Sequence, residues 1–380
     1  MKFFEDTVCQ QKKTGYSVCG DYYLSERTEE GSLFILCDGI GSGIYANIAA
    51  ITCAERLLEL VRERVSLRAA CEMVASSMHK AREADIPFSA FSALEVLPDG
   101  HFWVYTYEAP DAIVFRNGSA SVLSPRFYTA GYEVIGESFG KLTYGDAILL
   151  SSDGVTQAGL GHGYGMGIGT AGVIKFINHT HVEEEDINLL PEKIAAMCSS
   201  FMQNRFEDDT SVALIHCREA RQLSILTGPP SKPSLDSECV NFFMSLPGQK
   251  IVCGSTTADI VSRELGRKVE LVNMSPTPGA LPEYCMEGID LTTEGAITLN
   301  QVYNILDEPP ETLSQNSNVE YFCLLLLQAD VINFIVGTTV NHAHEDLIFK
   351  QAGVRTRKTM TTLLIEKLCS LGKLVIERNF

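Results

Sequence analysis

The residue pattern predicts an α+β fold in which two antiparallel sheets pack face to face with helices outside them, followed by a second, C-terminal α/β domain. Two observations carry this. In the first half the order is strand, strand, two helices, several strands, helix, strand, which suits paired sheets covered by helices. In the second half the composition shifts at Thr227-Gly228-Pro229-Pro230-Ser231-Lys232-Pro233, a turn-rich stretch, and strands then alternate with helices. The expected domains are residues 1–218, a linker at 219–235, and residues 236–380. At 380 residues and 45% apolar content the chain is long enough for two or three domains with buried cores.

Each element follows from its own pattern. Residues 1–14 are polar and mixed. Residues 16–24 read as a strand interrupted at Cys19-Gly20-Asp21, and residues 25–31 as a charged turn. Leu33-Phe34-Ile35-Leu36 reads as a buried strand running into Cys37-Asp38-Gly39-Ile40-Gly41-Ser42-Gly43. Asp21 and Asp38 then fall on neighbouring antiparallel strands joined by a hairpin. Residues 44–64 and 66–84 carry apolar side chains at helical spacing, with Ser66 as an N-cap. Strands follow at 91–97, 102–107, 112–116 and 120–123, with Asp99-Gly100 and Asn117-Gly118 as turns. Residues 147–151 form an apolar strand ending in Ser152-Asp153-Gly154. A glycine-rich stretch follows, then an amphipathic helix over 191–206 with Pro191 in its first turn. Glu207-Asp208-Asp209-Thr210 stands directly before a strand at 211–216.

Composition excludes several functions. A formal net charge of −18 argues against nucleic acid and against anionic membranes, which both recruit basic surface. No apolar stretch reaches the roughly 18 residues needed to span a bilayer. Met1-Lys2-Phe3-Phe4-Glu5-Asp6 lacks the apolar centre of a signal peptide. The twelve cysteines form no CxxC pair and lie largely in apolar runs. They read as small buried hydrophobes of a reducing, cytoplasmic compartment.

Four acids, Asp21, Asp38, Asp153 and Asp208, sit at strand ends. Strand ends gather on one edge of a sheet, so the four can meet at one point. Each alone reads more readily as a turn residue than as a ligand; Asp38 could simply cap the helix that follows. Two carboxylates 4 Å apart repel by about 1–4 kcal/mol, depending on the effective dielectric. A divalent cation converts that cost into binding energy, and hard cations prefer oxygen ligands. Jointly, the four acids favour a shared metal site.

Over roughly residues 10–217 the chain resembles the metal-dependent serine/threonine protein phosphatases, the PPM or protein phosphatase type 2C family, and within it the bacterial SpoIIE-like branch. The matching residues are Gly20-Asp21, Asp38-Gly39-Ile40-Gly41-Ser42-Gly43, Ser152-Asp153-Gly154 and Asp208-Asp209-Thr210-Ser211-Val212. Tyr144-Gly145-Asp146-Ala147-Ile148-Leu149-Leu150 resembles the run before the third motif. The resemblance implies an αββα four-layer sandwich holding two Mn²⁺ or Mg²⁺ ions. Asp38 would bridge the metals, the Gly39 carbonyl would reach the second, and Asp153 and Asp208 would bind the first. Asp21 would hold the metals' water shell, and a metal-activated water would attack phosphoserine or phosphothreonine on a partner protein. The register selects Asp208; a slip of one residue would select Asp209. Tyr16 and Gly20 stand where eukaryotic members carry an arginine and an acid. Phosphate binding then falls to the metals, helped by Lys12 or Lys13. Pairing into a homodimer is compatible with the branch. The rival readings are a non-catalytic binding module on the same fold and a hydrolase of small phosphorylated metabolites. His79, His101, His162, His179 and His181 show no paired carboxylate in the sequence and read as surface or satisfied core residues.

In the second half, a strand at 250–253, the turn Gly254-Ser255-Thr256-Thr257 and a helix at 258–265 could bind an anion or small molecule at the helix N-terminus. The same pattern also suits a plain capped helix in a βαβ unit. A strand is expected at 268–272, a helix at 292–306, a hairpin of 321–328 with 331–336, a helix at 360–371 and a strand at 374–376. His342, His344, Glu345 and Asp346 form a polar cluster that reads as a loop more readily than as a metal site. This half is expected to sense a ligand or to control the phosphatase.

Overall fold

The computed structural model describes residues 1–180, 184–273, 283–315, 317–339 and 355–380. His181 and the cluster His342, His344, Glu345 and Asp346 lie outside these residues. The chain divides into two compact units, Met1–Glu26 with Glu30–Glu219, and Ala220–Phe380 with Arg27–Glu29.

The first unit begins with β1 (Lys2–Gln11), β2 (Asp21–Arg27) and β3 (Ser32–Gly39). Helices α1 (Ile44–Arg62) and α2 (Leu67–Glu83) follow. Next come β4 (Ser89–Val96), β5 (His101–Tyr107), β6 (Ile113–Arg116), β7 (Ser119–Val122), β8 (Arg126–Ala130), β9 (Glu133–Lys141) and β10 (Ala147–Ser151). A single turn α3 (Asp153–Thr156), then α4 (Gly169–Thr180), α5 (Leu190–Phe201) and β11 (Thr210–Glu219) complete it.

These strands form two sheets, ordered β1-β11-β10-β6-β7 and β2-β3-β4-β5-β9-β8. Phe4, Ile148, Leu150, Ala213 and Ile215 of the first sheet and Phe34, Leu36, Leu94 and Val104 of the second share one buried cluster, the layer between the sheets. Alternate residues face outward. Ile35, Cys37, Phe91 and Ala93 pack under α1 and α2. Leu149, Val212 and Leu214 pack under α4 and α5. The result is the αββα four-layer sandwich. Alternation with period two gives each strand two apolar faces here, and each fully buried Leu, Ile or Phe contributes about 1.5–3 kcal/mol.

Local chemistry sets the boundaries. The Ser66 hydroxyl accepts from the Ala69 N–H at 3.4 Å and caps α2. Asn117 and Gly118 have φ of 50° and 75°, the left-handed pair that a tight β6–β7 hairpin requires. Three strands depart from the sequence reading. Residues 2–11 are a strand rather than a mixed tail; β1 pairs with β11 from Lys2↔Glu219 to Gln11↔Thr210. The β8–β9 hairpin was not anticipated, because its outer residues are exposed and its pattern is not apolar.

The second unit contains β12 (Gln222–Thr227), α6 (Asp236–Ser245), β13 (Gln249–Cys253), α7 (Ser255–Leu265), β14 (Glu270–Asn273), β15 (Glu283–Met286) and β16 (Ile289–Thr293). It continues with α8 (Ala296–Ile305), α9 (Asn318–Gln328), β17 (Val331–Val336), α10 (Arg357–Ser370) and β18 (Leu374–Asn379). Its sheet runs β14-β15-β16-β13-β12-β17-β18. The strands from β16 to β18 pair in parallel, and β14 and β15 are antiparallel.

Three expectations are corrected here. The expected linker at 219–235 contains β12, a central strand bonded to β13 and β17. Residues 318–328 are helix α9, not the first arm of a hairpin; the fully apolar run Phe322-Cys323-Leu324-Leu325-Leu326 is buried on all sides, where helical and strand periodicity cannot be told apart. The expected helix at 292–306 starts later, because Thr292 and Thr293 end β16.

Candidate metal centre

Asp21 opens β2 and Asp38 lies next to the end of β3, its neighbour in the sheet. Asp153 opens α3 directly after β10, and Asp208 immediately precedes β11. Because β10 and β11 pair antiparallel with Ser151 opposite Val212, the end of one strand lies beside the start of the other. Each sheet therefore delivers two acids to the same edge.

Several contacts join them. The Asp153 N–H donates to Asp38 Oδ2 at 3.4 Å, across the two sheets. Gln157 Nε2, one helical turn beyond, donates to Asp153 Oδ2 at 2.6 Å and orients it. The Ser89 hydroxyl donates to the Asp38 carbonyl at 2.8 Å and anchors the strand end. Gly39 sits under α1: a Cβ there would lie 1.9 Å from the Ala46 carbonyl oxygen, so only glycine lets the helix start so close to the acid. The Ser152 hydroxyl accepts from the Ser211 N–H at 2.9 Å and stitches β10 to β11.

Burial is the main cause of the site's electrostatics. It pushes the Asp38 carboxyl up to about 10, with the Asp21 and Asp153 charges adding to it. It pushes Asp21 up to about 7, with a smaller contribution from Asp209. Asp153 and Asp208 are raised as well, chiefly by burial; the charge of Asp153 adds at Asp208, and that of Lys13 partly offsets it. Both Asp21 carboxylate oxygens are buried without a hydrogen-bond partner. Like charges crowded in low dielectric with unsatisfied oxygens cost free energy until a cation arrives. The donors are oxygens throughout, which suits a hard divalent cation. Among the described residues no three His, Cys, Asp or Glu side chains close around a single ion by themselves.

Asp208 and Asp209 separate clearly. Asp208 lies with Asp153 and Asp38, whose pKa values it influences or shares. Asp209 is buried and accepts from the Lys13 N–H at 2.9 Å. Its Oδ2 occupies the space over Gly20, where a Cβ would approach to 2.7 Å. Gly20 is therefore the residue that fits beside Asp209. Of the two lysines, Lys13 is felt by Asp208, whereas Lys12 Nζ reaches the Ser17 carbonyl at 3.4 Å. Gln157 was missed in the sequence; its spacing of four from Asp153 on one helical turn was the available signal.

The histidines take other partners. His79 meets Glu133, His101 meets Asp99 and His162 meets Glu207, while His179 bonds its own helix at the Lys175 carbonyl. None joins the four acids. A cavity of about 380 Å³ beside the β8–β9 hairpin, lined by Thr106, Glu108, Phe127 and Tyr132, also lies apart from them. Among the described residues no helix is long and apolar enough to cross a membrane.

An αββα sandwich carrying strand-end aspartates on one edge is the architecture expected of a metal-dependent serine/threonine phosphatase domain. The chain belongs to the SpoIIE family of that class: the family profile of Stage II sporulation protein E matches residues 28–218, half of the chain. Solved structures that match it include the phosphatase domain of SpoIIE from Bacillus subtilis, at 14% identity over 57% of this chain and 93% of that one, with a TM-score of 0.46. RsbX in complex with magnesium matches at 16% identity over 57% of this chain and 100% of that one, with a TM-score of 0.41. The catalytic domain of the phosphatase PstP, in complex with two manganese ions, matches at 12% identity over 58% and 100%, with a TM-score of 0.42. No curated protein matches the chain.

Proposed function

We propose that the first unit hydrolyses phosphoserine or phosphothreonine on a partner protein, using two Mn²⁺ or Mg²⁺ ions held by Asp38, Gly39, Asp153 and Asp208. The observation that carries this reading is the convergence of four acids, Asp21 buried with no hydrogen-bond partner on either oxygen and Asp38, Asp153 and Asp208 half-buried. The carboxylates of Asp38, Asp153 and Asp208 and the Gly39 carbonyl would be the oxygens that hold the ions. When bound, such ions supply Lewis-acid activation of water and neutralise charge on the phosphoryl oxygens.

The chain's own residues have separate tasks. Asp38 would release its proton on cation binding, since burial first and the charges of Asp21 and Asp153 second hold its pKa up. Gln157 holds Asp153 in one orientation. Asp21, close enough to Asp38 for its charge to raise that carboxyl's pKa, would hold solvent protons near the reacting position. Lys13 places positive charge beside Asp208 and faces an incoming phosphoryl group. The rim beside Asp38 is apolar and exposed, with Ile40, Ile44, Tyr45 and Ile48 uncovered. Exposed apolar side chains around a phosphate site suit a protein surface better than a small hydrophilic metabolite.

The test is Mn²⁺-dependent phosphate release from a phosphoserine peptide and from p-nitrophenyl phosphate. Activity in the native chain that disappears in Asp38→Asn supports the proposal. A chain inert on both substrates with Mn²⁺ and Mg²⁺ supports the non-catalytic module instead. We further propose that residues 220–380 regulate this activity by binding a ligand near Gly254-Ser255-Thr256-Thr257, and that the chain works in the cytoplasm, as a monomer or a homodimer.

A further inference from the structure

The edge of the sandwich that carries the four acids continues past them. Leu36 faces the layer between the sheets, so Asp38, two residues on, lies on that face of β3. Val104 faces the same layer, which puts Thr106 there too. Register sets the two at one height, since Cys37 lies opposite Phe91 and Phe91 opposite Tyr107. The other sheet is aligned in the same way. Leu149 lies opposite Ile113, so Asp111, just before β6, stands at the edge where β10 ends and Asp153 follows. Thr106 and Asp111 both line the cavity of about 380 Å³, together with Glu108, Phe127, Tyr132 and Glu133. The cavity therefore lies on the same edge as the acids. Glu133 opens β9, three strands from β3 in the sheet order. At about 4.8 Å per strand that is about 14 Å, or about four residues of extended chain.

The lining is acidic and aromatic. Glu108 pairs with Arg82, and Glu133 with His79. Asp111 is half-buried and, among the described residues, meets no hydrogen-bond donor and no cation. Burial holds its carboxyl above the ordinary range. A carboxylate withdrawn from water with no counter-charge gains when a cation enters. Phe127 is 67% exposed. Tyr132 stacks on His79 with ring centroids 5.4 Å apart, yet stays 89% exposed. Two aromatic rings are thus held uncovered beside an unpaired acid.

We infer that this cavity receives an arginine side chain of the phosphorylated partner, about four residues from the phosphoserine or phosphothreonine held at the acids. A planar guanidinium stacks on aromatic faces and meets a carboxylate through a fork of donors; an ammonium matches the charge without the stacking. A purely apolar side chain would leave Asp111 unpaired. The net charge of −18 adds a longer-range attraction for a basic segment. The inference deepens the phosphatase reading, on which its phosphoserine end rests, by giving that site a sequence preference.

Two measurements test it. Methyl NMR of the full chain in EDTA, titrated with N-acetylarginine amide, reads the cavity alone through Val134 and Ala109, which also line it. Shifts are expected with this probe, none with its neutral isostere N-acetylcitrulline amide, and none with either in Asp111→Asn. Phosphate release with Mn²⁺ from alanine-rich phosphoserine peptides then reads the spacing, with one arginine moved along either side of the phosphoserine. KM should fall at least fivefold when arginine stands about four residues away on one side. Asp111→Asn and Tyr132→Ala should each erase that gain while p-nitrophenyl phosphate turnover stays native. The inference is overturned if the arginine probe leaves Val134 and Ala109 unmoved, if Asp111→Asn responds as the native chain does, or if arginine lowers KM at no position. Native chain inert on p-nitrophenyl phosphate overturns the phosphatase reading and with it the spacing, while the NMR titration still decides the occupant of the cavity.

Discussion

The backbone N–H of Asp153 meets the carboxylate of Asp38 at 3.4 Å, although 115 residues separate them. One acid comes from the end of a strand in each sheet, so this contact exists only if the two sheets are stacked in register. Burial holds both carboxyls above their ordinary range, and at Asp38 the charges of Asp21 and Asp153 add to it.

Replacing Asp38 separates function from folding. Asp38→Asn removes the central negative charge, so hydrolysis of p-nitrophenyl phosphate with Mn²⁺ should fall at least a hundredfold. Thermal melting in EDTA at pH 8 should rise or hold, because Asn needs no proton where the folded chain must keep the Asp38 carboxyl protonated far above its ordinary range. A fall in melting temperature with activity retained would contradict the reading of the cluster.

The raised pKa values give stability a pH slope. In the folded chain burial pushes the Asp21 carboxyl up to about 7 and that of Asp38 up to about 10, against ordinary values of 3.8. A carboxyl with a raised folded pKa favours the native state while protonated. That contribution is complete below about pH 4 and is lost as pH climbs through 7 and then 10. Each group contributes at most about 1.4 kcal/mol per pH unit within its window. Melting curves in EDTA should therefore drop between about pH 4 and 7 more steeply for the native chain than for Asp21→Asn. Saturating Mn²⁺ should flatten the native slope.

Asp208 and Asp209 should respond differently. Asp208→Asn should abolish hydrolysis with little change in melting. Asp209→Ala leaves the part-buried Lys13 N–H without its acceptor and should cost about 1–3 kcal/mol. Circular-dichroism melts alongside phosphatase assays separate the two outcomes; the reverse pattern would assign the ligand role to Asp209.

Much of the site was legible in the sequence, for a simple physical reason. Asp38 and Asp153 each follow an apolar run and precede glycine, and a polar residue at the end of a buried strand has few other positions. The partner strands were harder. In β1 the polar residues Glu5 and Arg218 pair across strands, so the segment lacks an apolar signature. In β12 the apolar residues Leu223, Ile225 and Leu226 are flanked by Gly228-Pro229-Pro230, and the turn signal outweighed the strand. Gly20 looked like a missing acid until the Asp209 carboxylate was found above it.

The corrected boundary has a practical consequence. A chain ending at Glu219 should fold and hydrolyse p-nitrophenyl phosphate. A chain ending at residue 229 keeps β12 but loses β13 and β17, which cover it, so Leu223, Ile225 and Leu226 become exposed. Size-exclusion chromatography should show a monodisperse product for the first and aggregation for the second.

The central claim is that the converging acids take up divalent cations. Calorimetric titration of Mn²⁺ into the metal-stripped chain tests it most directly. The account predicts two bound ions per native chain, with at least one lost in Asp38→Asn while the melting profile stays cooperative. A native chain that takes up no Mn²⁺, or an Asp38→Asn chain that binds it unchanged, would contradict the account.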